Sequence, residues 1–120
     1  MASTPQSGKR LYHPDVTAAL LSKRWESPTE VNLCDLNVDS RYQAPLSETR
    51  ARAIAAAFRR ESATAIVVSM RDDGTLWIID GQTRAAAARK VALKTILAWV
   101  YTGLSLEEEA ALYADANTVR

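Results

Sequence analysis

Apolar and polar positions along this chain repeat with a period that changes from segment to segment. Pro14 suits the first turn of a helix, and Val16, Ala19, Leu20 and Trp25 fall on one face, so a helix is predicted over Asp15–Arg24 and ended by Ser27-Pro28. Val31–Leu36 (V-N-L-C-D-L) alternates with period two, the mark of a half-buried strand, and Cys34 falls on its polar phase. Asn37–Pro45 is dense in turn formers and reads as a loop. Ser47 suits an N-cap for a helix to about Arg60, in which Ala51, Ile54, Ala55 and Phe58 mark a buried face.

The second half reads as two strands, a helix, a strand and a helix. Ala65–Met70 and Thr75–Ile79 are apolar and rich in β-branched residues, and Arg71-Asp72-Asp73-Gly74 between them predicts a hairpin. Ala85–Ala92 is an alanine-rich helix by propensity, and Thr95–Tyr101 is a strand. Ser105-Leu106-Glu107-Glu108 is a capping box, with Leu106, Ala110 and Tyr113 on one face of the helix that follows. The expected fold is a small α/β (α+β) domain on a short mixed sheet. Residues 1–12 are expected as a mobile tail, 13–30 as a helix and linker, and 31–120 as the domain proper.

Composition narrows the function. At 120 residues, 48% hydrophobic and 24% charged, the chain has the profile of one soluble domain with a core of its own. No apolar run reaches the ~20 residues of a membrane span, and Met1–Arg10 is too polar for a secretory signal, so a cytoplasmic protein is expected. A single cysteine excludes a disulfide framework, and a single histidine argues against a zinc site or a histidine-based triad. The net charge is only +1, but residues 1–60 carry +3 and residues 61–120 carry −2. Arg50, Arg52, Arg59 and Arg60 on the second helix read two ways, as a solvated face or as an anion-facing surface.

The chemistry concentrates at Asp80-Gly81-Gln82-Thr83-Arg84, where a strand ends, a glycine follows and a helix begins at once. Such a junction leaves the first helical N–H groups unpaired at the positive end of the helix dipole, a natural seat for phosphate. Gly81 lets an anion approach the backbone, Thr83 offers a hydroxyl, and Arg84 a cationic fork. The bland alternative is a tight turn at Gly81, a cap from Asp80 or Thr83, and Arg84 in solvent. Neither G-x-x-x-x-G-K-[ST] nor G-x-G-x-x-G occurs.

The run Trp77–Ala88 (W-I-I-D-G-Q-T-R-A-A-A-A) resembles the central box of the ParB/sulfiredoxin superfamily, in which a strand ends in a glycine before G-E-R-R, G-C-H-R or D-G-Q-H-R and a helix. Val31–Pro45 with Tyr42-Gln43 looks like the family's early strand and loop, Ile66–Met70 its I-x-V strand, and Leu93–Tyr101 the strand after the box helix. Ala116-Asn117-Thr118-Val119-Arg120 is similar to its N-x-x-R element. The nearest look is to ParB-like domains with D-G-Q-x-R and E-E-E-A, of phage and actinobacterial type. The resemblance implies a pocket for a nucleoside triphosphate, CTP or ATP, with Mg²⁺ as its candidate companion. Gly81, Gln82 and Thr83 would offer backbone groups and Arg84 would hold phosphate. Asn117 and Arg120 would close the site, with Arg41 and Gln43 at its edge.

Departures from the family pattern shape the expected activity. Sulfiredoxin needs a cysteine where Gln82 stands, so that activity is rejected. The partition-type box has a glutamate at this place and arginines where Thr83 and Ala86 stand, so any hydrolysis would be weak, with Asp80 and Gln82 as the candidate catalytic residues. The family's loop arginine after Gln43 is replaced by Ala44 and Pro45, and its carboxylate before the asparagine by Ala116, so no metal site is assigned. Partition proteins of this type also carry a helix-turn-helix domain; nothing in these residues could serve as one, so sequence-specific operator reading is not expected from this chain. The expectation is a nucleotide-binding domain, a weak NTPase switch in a DNA-associated partition, plasmid or phage system. The alternatives are a non-specific DNA-binding or nuclease-type module using the four arginines, and a protein-interaction module or homodimer with a degenerate pocket.

Overall fold

The computed structural model describes residues 19–59 and 64–118. One five-stranded mixed sheet organises them, with strands in the order β1-β5-β3-β4-β2. The strands are β1 (Thr29–Asn32), β2 (Leu36–Asn37), β3 (Ile66–Met70), β4 (Leu76–Asp80) and β5 (Thr95–Thr102). β1–β5 and β3–β4 are antiparallel, whereas β3–β5 and β2–β4 are parallel. Three α-helices follow the sequence expectation: α1 (Glu48–Ala56), α2 (Gln82–Lys90) and α3 (Leu106–Thr118). The expected tail, the start of the first predicted helix, Arg60 and Arg120 lie outside the described residues.

Three elements depart from the shape the sequence predicts. The first predicted helix extends no further than residue 21, because Lys23–Trp25 lie along β5 instead, with Trp25 N–H donating to Val100 at 2.8 Å and Thr102 N–H to Lys23 at 3.0 Å. Leu20 is buried in its own chain, and Trp25 stays exposed. The strand predicted over Val31–Leu36 is broken by a 3-10 turn at Leu33–Asp35, which buries Leu33 and leaves Cys34 exposed. Arg89 holds that turn by donating to the Leu33 carbonyl at 2.8 Å. The helix expected to reach Arg60 ends at Ala56, and Phe58 leaves the helical path to pack against the core.

Val31, Ile66, Val68, Ile78, Ile96, Ala98 and Val100 line the covered face of the sheet and meet Ala85 and Ala88 of α2. Burying each of these branched side chains contributes about 1.5–3 kcal/mol. All four of Ala85–Ala88 are buried, so α2 is enclosed between the sheet and α1 rather than amphipathic. Helix propensity explains why alanine is allowed there; close approach on opposite sides explains why nothing larger stands there. The helix ends in a Schellman arrangement: Leu93 N–H reaches Ala88 and Ala92 N–H reaches Arg89, both at 3.0 Å, with Ala92 at φ +65°.

The hairpin turn forms as predicted, with Gly74 at φ +84° between β3 and β4. Both halves of the predicted capping box are made: Glu108 N–H donates to Ser105 Oγ at 3.1 Å, and Ser105 N–H to Glu108 Oε1 at 2.8 Å. The face of α3 differs from the expectation. Leu106 is exposed, and among the described residues of α3 the most completely buried side chain is a carboxylate, Glu109, at 1% exposure. Among the described residues, no helix is long and apolar enough to cross a membrane.

Candidate functional site

The site begins where β4 ends. Asp80 is half-buried, Gly81 turns the chain at φ +112°, and α2 starts with Gln82. The N-cap is Gly81 itself, which has no side chain to bring to the first N–H groups of α2. Gly81 is fixed by packing as well as by its φ, since a Cβ there would collide with the side chain of Ile66. The same Cβ would lie 3.1 Å from the Arg84 guanidinium, which places Arg84 folded back over the glycine.

Arg84 has few good partners in this position. One guanidinium nitrogen lies 3.4 Å from the Ala65 carbonyl and 3.7 Å from the Asp80 carboxylate. Its Nε is buried and has no hydrogen-bond partner. A guanidinium carries five donors, and a buried one left unpaired costs about 1–3 kcal/mol. Arg84 therefore has unused donor capacity beside a helix start whose N-cap is a glycine.

These groups line a cleft of about 680 Å³. Gly81, Gln82, Thr83 and Arg84 form its floor, with Asp80 beside them. Ala53, Ile54, Ala57 and Phe58 form an apolar wall, which is why the predicted buried face of α1 is only partly buried. Arg50 and Arg59 add two cationic groups, and α3 contributes Tyr113 and Asn117. Arg52 is exposed elsewhere. Arg41 also lies elsewhere: it pairs with Asp39 at 2.7 Å and lines a separate depression with Arg71, Asp72 and Asp73. Gln43 reaches the cleft while itself buried, its amide donating to the Ile78 carbonyl at 2.9 Å.

Gln82 ties the loop before α1 to the start of α2. Its amide donates to the Ala44 carbonyl at 3.0 Å and more weakly to Gln43 Oε1 at 3.4 Å. The Ala44 N–H in turn donates to the Tyr113 hydroxyl at 3.1 Å. Ala44 is thus gripped from α2 on one side and from α3 on the other. Asn117 bonds back to the Tyr113 carbonyl of its own helix at 2.8 Å.

The ionic cluster that anchors α3 is absent from the sequence reading. Glu109 accepts from Ser69 Oγ at 2.8 Å, from Tyr42 at 3.0 Å, and from Arg71 at 2.6 and 3.0 Å. Arg71 also reaches Asp39 at 2.8 Å and stacks 4.0 Å from the Trp77 ring. Burial alone would push the Glu109 carboxyl up, but donation from Arg71, Ser69 and Tyr42 outweighs it and holds the group below its ordinary value. Asp39 is held well below the usual carboxylate range by Arg41 and then Arg71. Burial, reinforced by Glu109, pushes the Tyr42 phenol far up. Helical spacing carried a signal, since Glu109 stands four residues before Tyr113, on the face α3 turns inward.

Residues 38–120 match a protein family described as a family of unknown function, DUF6551. The chain belongs to this family. The matched span contains the whole cleft. None of the curated proteins matches the chain. Among solved structures it is similar to the C-terminally truncated chromosome-partitioning protein ParB from Caulobacter crescentus complexed with CTP-γ-S, at a TM-score of 0.67 and 21% identity, covering 78% of this chain and 53% of that one. The same protein complexed to the centromeric parS site matches at a TM-score of 0.57 and 20% identity, over 71% and 44%. Sulfiredoxin from Arabidopsis thaliana matches at 0.52 and 21%, over 63% and 85%. The fold of this DUF6551 chain is therefore that of ParB N-domains and sulfiredoxin, and the chain spans about half the length of the ParB chain it matches.

Proposed function

We propose that the cleft binds a nucleoside triphosphate, CTP or ATP, with its phosphates at the start of α2 and on Arg84. The observation that carries this reading is the guanidinium of Arg84, short of acceptors and with Nε buried and unpaired, beside a helix N-terminus whose N-cap is a glycine. A phosphate oxygen supplies what both lack. Arg50 and Arg59 add charge to the same space, and the apolar wall of α1 suits the uncharged part of a nucleotide. The similar ParB structure with CTP-γ-S bound lends support through its shared fold.

Mg²⁺, which commonly takes one or two carboxylates along with substrate phosphates, would rest on Asp80 and the bound phosphates. Among the described residues no group of three metal-ligating side chains occurs. Hydrolysis is proposed to be slow or absent, because Gln82 is engaged on Ala44 and an amide cannot serve as a base. The role suggested is a nucleotide-responsive switch in a cytoplasmic, DNA-associated system, of the D-G-Q-x-R subtype. A separate DNA-facing surface on α1 is the weaker reading, since Arg50 and Arg59 turn to the cleft.

Calorimetric titration with CTP and with ATP, each with and without Mg²⁺, tests this. Arg84→Ala removes a charge-assisted hydrogen bond worth ~1.5–3 kcal/mol and should weaken binding roughly 10–100-fold. Absence of heat for the wild type with both nucleotides contradicts the reading.

A further inference from the structure

The walls of the cleft differ in charge. Among the described residues, its cationic groups come from α1, the segment after it, and α2, whereas α3 contributes the neutral Tyr113 and Asn117. Tyr113 is set up as a donor. Its oxygen accepts the Ala44 N–H at 3.1 Å, its ring packs 5.6 Å from that of Tyr42, and its position is fixed by α3, which Glu109 anchors to the sheet. A phenol has one proton to donate, and among the described residues no acceptor for it occurs. An oriented hydroxyl proton at a cleft wall is a recognition element for a neutral acceptor.

We propose that Tyr113 is a specificity-determining residue of the cleft, donating its hydroxyl proton to an uncharged acceptor of the ligand, a sugar hydroxyl oxygen or a base carbonyl or ring nitrogen, while Arg84 and the start of α2 hold the phosphates. This rests on the nucleotide reading above. It predicts that the two ends of the ligand are read by separate residues.

The test uses two probes, CTP and inorganic triphosphate, on wild type, Tyr113→Phe and Arg84→Ala. The phenylalanine variant keeps the ring packing and frees only the N–H of Ala44, which is exposed and can turn to water, so the fold should survive; thermal melting checks this. Tyr113→Phe is expected to weaken CTP about 5–30-fold, the range of a neutral hydrogen bond with its partner left unmet, and to leave inorganic triphosphate unchanged. Arg84→Ala should weaken both probes. An equal loss for both probes in Tyr113→Phe, or no loss for either, overturns the assignment of Tyr113 while leaving the nucleotide reading intact. Failure of wild type to bind CTP overturns both. Cys34→Ser, on an exposed 3-10 turn outside the cleft lining, serves as the control and should leave both affinities unchanged.

Discussion

Ala92 holds a backbone angle of φ +65°, where a Cβ crowds its own carbonyl and glycine is the usual occupant. The two Schellman bonds that close α2 hold it there, and Leu93 packs against the core just beyond. Ala92→Gly should therefore stabilise the protein by about 0.5–1 kcal/mol, measured by chemical denaturation, since relief of strain outweighs the added freedom of the unfolded chain. A loss of stability would mean that the left-handed turn is misplaced. Gly81 presents the reverse case. Its missing Cβ is required by Ile66 as well as by φ, so the residue first read as an opening for an anion is also a packing necessity. Its place after the glycine puts Arg84 at the cleft, as the sequence leads one to expect. That it folds back over Gly81 toward Asp80 and Ala65 was not legible, because those neighbours are set by the β3–β4 pairing.

At the scale of elements, caps and turns were readable and pairings across the fold were not. The Ser47 cap, the Ser105–Glu108 box and the Gly74 turn each depend on residues within a few positions, so local chemistry defines them. The Asp39–Arg71–Glu109 cluster joins three segments far apart in sequence: helical spacing from Tyr113 marks the face of Glu109, but nothing local names its partners. Its effect is to fix α3, and through α3 the Tyr113 wall of the cleft. Arg71→Met leaves Glu109 buried without its cation and should cost about 3–5 kcal/mol near pH 7. The pH dependence has a definite sign. In the wild type Glu109 and Asp39 are held below their ordinary values, so their contribution is present above about pH 4 and is lost as pH falls further. In Arg71→Met, burial would raise the Glu109 carboxyl, so acidification toward pH 4 should narrow the gap between variant and wild type. Denaturation curves from pH 8 to 3 check this, and a gap that widens on acidification contradicts it.

Across the whole molecule, the sheet brings the cleft together from segments that the sequence displays separately. The order of elements and the central box announced a ParB/sulfiredoxin-like fold, and solved structures similar to this DUF6551 chain share it. The sequence reading treated the apolar residues of α1 as core, yet several of them face the cleft, because periodicity reports an apolar face without saying what covers it. It placed Arg41 at the pocket, whereas Asp39 draws that side chain to another surface. The central proposal is that the start of α2 and Arg84 form a seat for phosphate. Amide NMR of isotope-labelled protein titrated with CTP measures this most directly. The account predicts that the largest shifts fall on Gln82, Thr83 and Arg84, with smaller ones at Ala44 and Tyr113. Largest shifts on the far side of the sheet, or none at millimolar CTP, would contradict it.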